Sequence, residues 1–291
     1  MRLKLFREGE AFLFTLPALV PLLLFWFGPL GYIFYLSFTE WDFMSPEKLF
    51  VGLDNYRYLL THADFYRALR VTLLFGVGTV VPIIVGGLAL ALLMNSKLRA
   101  TGWMRALLFS PWVTPTVAVS IAWSWIFEPE VGLANLALGW VGVSPLGWLQ
   151  DENWALAAVM IVTVWKSIGW SMVFYLVALR SLPAELLEAA SIDGANGWDR
   201  FRGIVLPLIS PTTLFLSIML TIQSLQAYDQ INVMTQGGPA GSTRTLLYMY
   251  YQSAFESFNV GEASAIAVIL ILICVLLSGI SFLLSRRLVH Y

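Results

Sequence analysis

Residues 71–95 read VTLLFGVGTVVPIIVGGLALALLMN and contain no charged side chain. A helix needs about 20 mostly apolar residues to cross the hydrocarbon core of a bilayer, so this stretch is long enough to span a membrane. Five further stretches share this character: 12–36, 106–127, 154–179, 207–228 and 263–285. The sequence therefore predicts an all-α membrane protein with six transmembrane helices, forming one domain over residues 1–291.

The composition agrees with a membrane location. Of the 291 residues, 58% are hydrophobic and 12% are charged, and the mean hydropathy is +0.76. The net charge of -1 gives no basic field, so nucleic-acid binding is excluded. The single cysteine, Cys274, and the distant pair His62 and His290 leave no disulfide and no metal site to predict. No catalytic motif is present either, so we expect neither an enzyme nor a resident cofactor.

Basic residues predict the orientation of the six spans. The N-terminus, the 97–105 and 180–202 loops and the C-terminus fall on one side and carry eleven Lys and Arg residues, against five on the other side. Cytoplasmic loops are enriched in these residues, so both termini are predicted to be cytoplasmic in a multi-pass inner-membrane protein. Residues 12–36 are too long and too apolar for a cleaved signal peptide and are expected to be retained.

Prolines and glycines refine this picture. Pro17, Pro21 and Pro29 predict a kinked first helix, and Pro111 and Pro115 predict the same for the third. The uncharged stretch 131–150 contains four glycines and Pro145, which disfavour a helix. A seventh span there would also move basic residues of the later cytoplasmic segments to the outer side of the membrane. We expect the stretch to lie along the outer membrane interface, where Trp140 and Trp148 suit the aromatic belt.

The most informative loop covers residues 183–206, PAELLEAASIDGANGWDRFRGIVL. Pro183 and good helix formers predict a first short helix that Gly194 ends, and a second is predicted from about Trp198 until Pro207 stops it. Trp198, Phe201 and Val205 then form one apolar face. Such a face on a water-facing loop is either covered by a partner or folds back on the chain or membrane surface.

This loop resembles the EAA loop of bacterial ABC importer permeases, whose pattern is Glu-Ala-Ala, three residues, Gly, nine residues, Ile, one residue, Leu-Pro. The pattern is matched without departure by Glu188, Ala189, Ala190, Gly194, Ile204, Leu206 and Pro207. In that family the loop, between the fourth and fifth spans, is a coupling helix that sits in a groove of the ATPase. The resemblance implies ATPase docking by Glu188, Ala189, Ala190, Asp193 and Gly194. The apolar side chains of Trp198 and Phe201 are assigned to the same contact.

The resemblance also implies the rest of the machine. It predicts the type I ABC importer fold, a second permease in a heterodimer, two ATPase subunits that carry ATP and Mg, and an extracytoplasmic binding protein. Val51-Gly-Leu-Asp-Asn-Tyr56 and Thr235-Gln-Gly-Gly-Pro239 are similar to stretches of the carbohydrate branch of these permeases, as is the region 123–135. A sugar is therefore the expected solute.

Polar residues within the spans are candidates for the solute pathway, because they are costly unless they face protein or water. The candidates are Thr163, Lys166, Ser167, Trp170, Ser171, Ser217, Thr221, Gln223, Ser224 and Tyr228. Neutral hydroxyl, amide and aromatic groups suit a sugar. Helix packing is the alternative explanation for each hydroxyl residue taken singly.

Lys166 is the one charged residue in the predicted spans, and no acid shares a span with it. It is either a pathway residue that favours an anionic solute or a structural pin to a neighbouring subunit. Glycerol phosphate or a polyol is the alternative solute for the same machine. An ion-coupled secondary transporter is the alternative from another class, but no Asp or Glu lies in the middle of a predicted span.

Overall fold

The computed structural model describes residues 2–95 and 101–288, and it describes side chains for residues 12–95 and 102–283. Lys97, Arg99 and His290, which entered the arguments on orientation and metal binding, lie outside the described residues. The described chain is predominantly helical.

The chain divides into two compact units. One unit combines the described residues up to His62 with Met249–Ile269, and the other combines Ala63–Tyr248 with the described residues from Leu270 onward. The 183–206 loop and all ten candidate pathway residues belong to the second unit.

Four continuous helical stretches are long and apolar enough to cross a membrane. They are Phe12–Leu36, Ala63–Met94, Ala155–Arg180 and Val260–Leu283. The first runs through Pro17 and Pro21 as Arg2–Leu22, widens into a π-helical turn at Leu23–Phe27 and continues as Gly28–Leu36. A π-helical turn re-pairs backbone groups that a proline such as Pro29 leaves without a donor, which explains why this stretch stays helical.

The third and fifth predicted spans are each broken into two helices. Gly102–Val113 and Thr116–Ile126 are bent by 100° from a straight line, and Gly197–Leu208 and Ser210–Leu225 are bent by 61°. The sequence predicted a kink in the third span, whereas the structure has a sharp break after Val113. Pro111 is tolerated within the first arm, but Pro115 cannot donate a backbone hydrogen bond and disfavours helical backbone at Thr114.

The second helix of the 183–206 loop differs from expectation in its π-helical turn. It begins at Gly197, passes through a π-helical turn at Phe201–Val205 and continues through Pro207 to Leu208. The helix thus ends at Leu208, one residue beyond the predicted stop at Pro207, which agrees with the prediction within the one or two residues by which helix bounds vary.

The remaining elements are short. Thr39–Glu40 pairs antiparallel with Leu49–Phe50, with Thr39 opposite Phe50. Short helices cover Asp54–Thr61, Leu133–Trp140, Ala184–Ile192, Asp229–Met234 and Leu246–Tyr251, with a 3₁₀ turn at Trp148–Gln150 and a π-helical turn at Gln252–Glu256.

The core of the second unit lies where the 63–94 helix packs along the 155–180 helix. Thr101–Val113 also packs on the 155–180 helix, and Ser210–Leu225 packs on the 63–94 helix. Close packing buries a set of large side chains: Ile83, Met94, Met172, Tyr175, Leu176, Leu179, Ile209, Leu216 and Leu220. This core fixes the helices that carry the candidate pathway residues.

In the first unit, the Val51–Tyr56 motif is hydrogen-bonded to the residues that follow the first long helix. Gly52 has φ +60°, and Asn55 donates from Nδ2 to the carbonyls of Ser37 (3.0 Å) and Thr39 (2.9 Å). The Tyr56 hydroxyl donates to Ser37 Oγ at 2.7 Å. The motif thus ties the end of the first long helix to the Asp54–Thr61 helix that follows it.

The 131–150 stretch contains only the eight-residue helix Leu133–Trp140 and one 3₁₀ turn. Asn135 organises it by donating to the carbonyls of Pro129 and Leu146 and accepting from the Leu146 N–H and Trp148 Nε1. Trp140 is 89% exposed, but Trp148 is 8% exposed. The prediction that Trp148 serves an aromatic belt is therefore wrong, since its indole N–H is satisfied inside the loop.

Candidate functional site

A polar cavity of about 400 Å³ lies within the second unit. It is bounded by the 63–94, 155–180 and 210–225 helices, by the break between Val113 and Thr116, and by residues 226–230. Its lining consists of Phe75, Thr79, Ile83, Trp112, Thr116, Thr163, Lys166, Ser167, Leu220, Gln223, Ser224, Gln226, Ala227, Tyr228, Asp229 and Gln230. A volume of this size is within the range of small-molecule sites, about 300–1,000 Å³.

Six of the ten predicted pathway residues line the polar cavity: Thr163, Lys166, Ser167, Gln223, Ser224 and Tyr228. The other four are not among its lining residues. Trp170 stacks on Trp112 with ring centroids 5.2 Å apart, so it contacts a residue of the cavity wall without lining the cavity itself. Ser171 is fully buried in the helix packing, and Ser217 donates to the Leu214 carbonyl at 2.8 Å. Thr221 accepts a bond from Ser224 through its carbonyl.

Sequence reasoning overlooked the contribution of the 63–94 helix and of the broken third span. Phe75, Thr79 and Ile83 line the cavity at helical spacing, and Trp112 and Thr116 flank the break. Thr79 lies on the same helical face as Thr72, so a polar stripe was present in the second predicted span as well. No sequence pattern indicated that Trp112 would line the cavity, because its position depends on the break in the helix after Val113.

Hydroxyl groups in the cavity wall donate to their own helices. Thr79 Oγ1 donates to the Phe75 carbonyl (2.7 Å), Thr163 Oγ1 to the Val159 carbonyl (2.9 Å) and Ser224 Oγ to the Thr221 carbonyl (2.8 Å). Each hydroxyl oxygen keeps lone pairs that can accept a hydrogen bond. The amide groups of the glutamines at 223, 226 and 230 add both donors and acceptors.

Tyr228 is positioned by the Thr235–Pro239 turn. Its ring stacks on Tyr248 with centroids 6.1 Å apart, and Tyr248 packs against Gly237, where an added Cβ would lie 2.7 Å from the Tyr248 ring. Gly237 has φ +78°, and Thr243 Oγ1 donates to the Gly238 carbonyl at 2.8 Å. The Gly-Gly-Pro turn therefore supports one aromatic face of the polar cavity.

Lys166 is 7% exposed and contacts the broken third span within the same chain. Its Nζ donates to the carbonyls of Pro111 (3.2 Å), Trp112 (3.1 Å) and Thr114 (2.8 Å). The ammonium also lies 5.8 Å from the centre of the Trp112 ring. An ammonium has three donors, so these three carbonyls use its full donor capacity.

The 183–206 loop is well ordered by local hydrogen bonds. Gly194 has φ +82° and follows the C-cap of Ala184–Ile192, as predicted, and the Ala195 N–H donates to the Ala190 carbonyl at 2.9 Å. Asn196 and Asp199 form a reciprocal capping box that starts the next helix. Arg200 donates to Ser191 Oγ at 2.8 Å and ties the two helices together.

The predicted apolar face of this loop is divided in the structure. Trp198 is 65% exposed, and its ring lies 5.6 Å from that of the half-buried Phe201. Val205 instead packs against the core of the second unit. A π-helical turn contains more residues per turn than an α-helix, so Val205 no longer falls on the face that carries Trp198. Glu188, Ala189, Asp193 and Gly194 are exposed, and Ala190 is half-buried.

Comparison with known proteins identifies the class. Residues 78–290 match the model of the family described as binding-protein-dependent transport system inner membrane component. The trehalose/maltose transport system permease protein MalF of Thermococcus litoralis is 35% identical over 268 residues, which cover 91% of this chain and 90% of that protein. The sn-glycerol-3-phosphate transport system permease protein UgpA of Agrobacterium fabrum is 32% identical over 283 residues, with 96% of both chains covered.

The fold is also found among solved structures. The crystal structure of a bacterial ABC transporter involved in the import of the acidic polysaccharide alginate contains a chain that superposes with a TM-score of 0.83 at 22% identity, over 100% of both chains. This likeness agrees with the helical architecture described above. The chain belongs to the family of binding-protein-dependent transport system inner membrane components, the permease subunits of ABC importers.

Proposed function

We propose that this permease conducts a neutral carbohydrate through the polar cavity of the second unit, after delivery by an extracytoplasmic binding protein. The observation that carries this proposal is the chemistry of the cavity wall. Hydroxyl oxygens, glutamine amides and the rings of Trp112 and Tyr228 offer hydrogen bonds and stacking faces. A sugar needs both kinds of contact and no counter-charge.

The charges at the cavity support a neutral solute. Lys166 and Asp229 are the charged residues in the lining. Lys166 already directs its three donors to backbone carbonyls, and Asp229 would repel an anion. The names of the relatives include both trehalose/maltose and sn-glycerol-3-phosphate systems, so a glycerol phosphate is the main alternative. A polyol would use the same hydroxyl contacts as a sugar.

We further propose that the chain crosses the membrane six times. The four continuous stretches, the bent pair of the third span, and Ser210–Leu225 with the end of the Gly197–Leu208 helix account for the six predicted spans, while residues 197–206 belong to the cytoplasmic loop. The excess of basic residues supports a cytoplasmic location for both termini and for the 183–206 loop. None of the most apolar part of Phe12–Leu36 is buried within the chain, so lipid and a second permease are its expected neighbours.

The 183–206 loop is proposed to dock on the ATPase subunits, which hold ATP and Mg. Glu188, Asp193 and Gly194 are exposed on the loop, and the side chains of Ile192 and Trp198 are 86% and 65% exposed. Exposed apolar side chains of this size gain free energy when a partner covers them. The capping box and the bond between Arg200 and Ser191 join the two helices of the loop, which supports transmission of a movement of the ATPase to the 210–225 helix.

The proposal is tested by purifying the tagged chain from its own membranes in mild detergent and analysing every protein that accompanies it by mass spectrometry. We expect an ATPase, a second permease and a binding protein. Mass spectrometry of the small molecule released from the denatured binding protein should then give a neutral carbohydrate.

Two results would contradict the proposal in different ways. A phosphorylated or carboxylated ligand would refute the assignment of a neutral solute and favour the glycerol phosphate alternative. Recovery of the chain alone, in a particle shown by its size to be intact, would refute the ATP-driven machine and favour an ion-coupled transporter.

A further inference from the structure

The break in the third span exposes backbone carbonyls within the apolar part of the chain. Thr101–Val113 ends where Pro115 cannot donate an N–H to the Pro111 carbonyl, and the 100° bend carries the next helix away. The last carbonyls of a helix have no partner in the helix itself, and the C-terminal end carries partial negative charge. Such carbonyls need donors from elsewhere.

Lys166 supplies these donors. Its Nζ lies 2.8–3.2 Å from the carbonyl oxygens of Pro111, Trp112 and Thr114. No carboxylate among the described residues forms an ion pair with it, so the charge is balanced by carbonyl groups at a helix end.

The backbone of the two helices also meets close to this contact. One turn beyond Lys166, an added Cβ at Gly169 would lie 1.8 Å from the Leu108 carbonyl oxygen. This close approach brings the 155–180 helix against the end of the Thr101–Val113 arm, so the lysine side chain reaches the break. Lys166 and Gly169 thus contact the same arm through independent features.

We propose that Lys166 is a positioning residue that holds the break in the third span and thereby fixes the wall of the polar cavity. Trp112 both accepts a bond from Lys166 through its carbonyl and is one of the residues that line the cavity. Without the lysine, three carbonyls lose their donor and the bend is no longer fixed. The importance of this wall for transport rests on the proposed function above. The contact by which Lys166 holds the break, called the clamp below, does not depend on that function.

The bend can be measured directly. Trp103 and Trp125, which are 81% and 74% exposed, lie on the two arms of the broken span and can be replaced by spin-labelled cysteines after Cys274→Ser. With a rise of 1.5 Å per residue, their Cα atoms lie about 33 Å apart in a straight helix and about 20 Å apart in a pair bent by 100°. Double electron–electron resonance on the purified complex in lipid nanodiscs resolves this difference.

We expect one narrow distribution for the parent and for Lys166→Arg, because arginine keeps several N–H donors. Lys166→Met should give a broad distribution extended by at least 5 Å towards the longer distance. Lys166→Gln, which keeps two donors, should lie between them and serves in place of Lys166→Met if that variant does not assemble. A distribution unchanged in Lys166→Met or Lys166→Gln would overturn the proposal.

Uptake by the same variants separates a clamp from a pathway cation. We expect Lys166→Arg to retain uptake and Lys166→Met to lose at least tenfold, together with the change in distance. Loss of uptake with an unaltered distance would contradict the clamp and favour direct contact with the solute. Since the distance measurement needs no solute, an error in the proposed substrate class would leave its result unchanged.

Discussion

Replacing Gly169 by alanine tests the close contact between the 155–180 helix and the first arm of the third span. The new Cβ would lie 1.8 Å from the Leu108 oxygen and 2.6 Å from its carbonyl carbon, whereas ordinary contacts begin at 3.4 Å. These are backbone atoms, so no side-chain rotation relieves the clash. The two helices must separate by about 1.5 Å, and overpacking of this kind costs about 1–3 kcal/mol.

We expect Gly169→Ala to lower the melting temperature of the purified complex by several degrees. The measurement is size-exclusion chromatography of heated samples with fluorescence detection. Gly279→Ala is the matched control, because it lies within the Val260–Leu288 helix and an added Cβ there meets nothing within 4 Å. A melting temperature of Gly169→Ala equal to that of the parent would refute the close packing of these two helices.

Two further substitutions test the supports of the cavity and of the outer loop. Gly237→Ala should push Tyr248 away and raise KM for uptake several-fold, while Gly241→Ala, which has the same φ of +78° but open space, should not; equal effects of the two would contradict the steric argument. Asn135→Ala leaves four hydrogen-bonding groups without their partner, and each buried unsatisfied group costs about 1–3 kcal/mol. We therefore expect the 131–150 stretch to become sensitive to protease. Asn153→Ala, at an exposed site, is its control, and equal cleavage in both variants would refute the organising role of Asn135.

The long apolar stretches could be predicted from the sequence because the requirement for a span is local. Length and absence of charge suffice to identify helices such as Ala63–Met94 and Ala155–Arg180. The end of Ala184–Ile192 was predictable for a similar reason, since Gly194 supplies the positive φ that the turn needs. Helix bounds and turns of this kind depend on few residues that are adjacent in the chain.

The breaks and their partners were not predictable in the same way. Pro111 and Pro115 are the same residue type four positions apart, yet only the second lies at a break. The Pro111 carbonyl, which Pro115 leaves without a donor, accepts a hydrogen bond from Lys166, more than 50 residues along the chain. The two sequence-based readings of Lys166 did not include a contact within its own chain.

Local departures from α-helical geometry caused the smaller errors. Because of the π-helical turn Phe201–Val205, Val205 does not lie on the same face as Trp198, and no residue type in that turn predicts the wider geometry. Trp148 was assigned to the membrane interface because tryptophan is common there, whereas its partner Asn135 lies 13 residues earlier in the chain. Pairings between distant residues decide which tryptophans are exposed.

The most direct test of the whole account uses the complete complex in proteoliposomes, with ATP hydrolysis and solute uptake measured on the same preparation. Glu188→Lys reverses a charge on the exposed face of the 183–206 loop, and Glu185→Lys makes the same change on the same short helix outside the Glu-Ala-Ala motif. We predict that Glu188→Lys abolishes uptake while the chain stays in the membrane, and that Glu185→Lys transports normally. Uptake by Glu188→Lys at the rate of the parent would contradict the coupling of this permease to an ATPase through that loop.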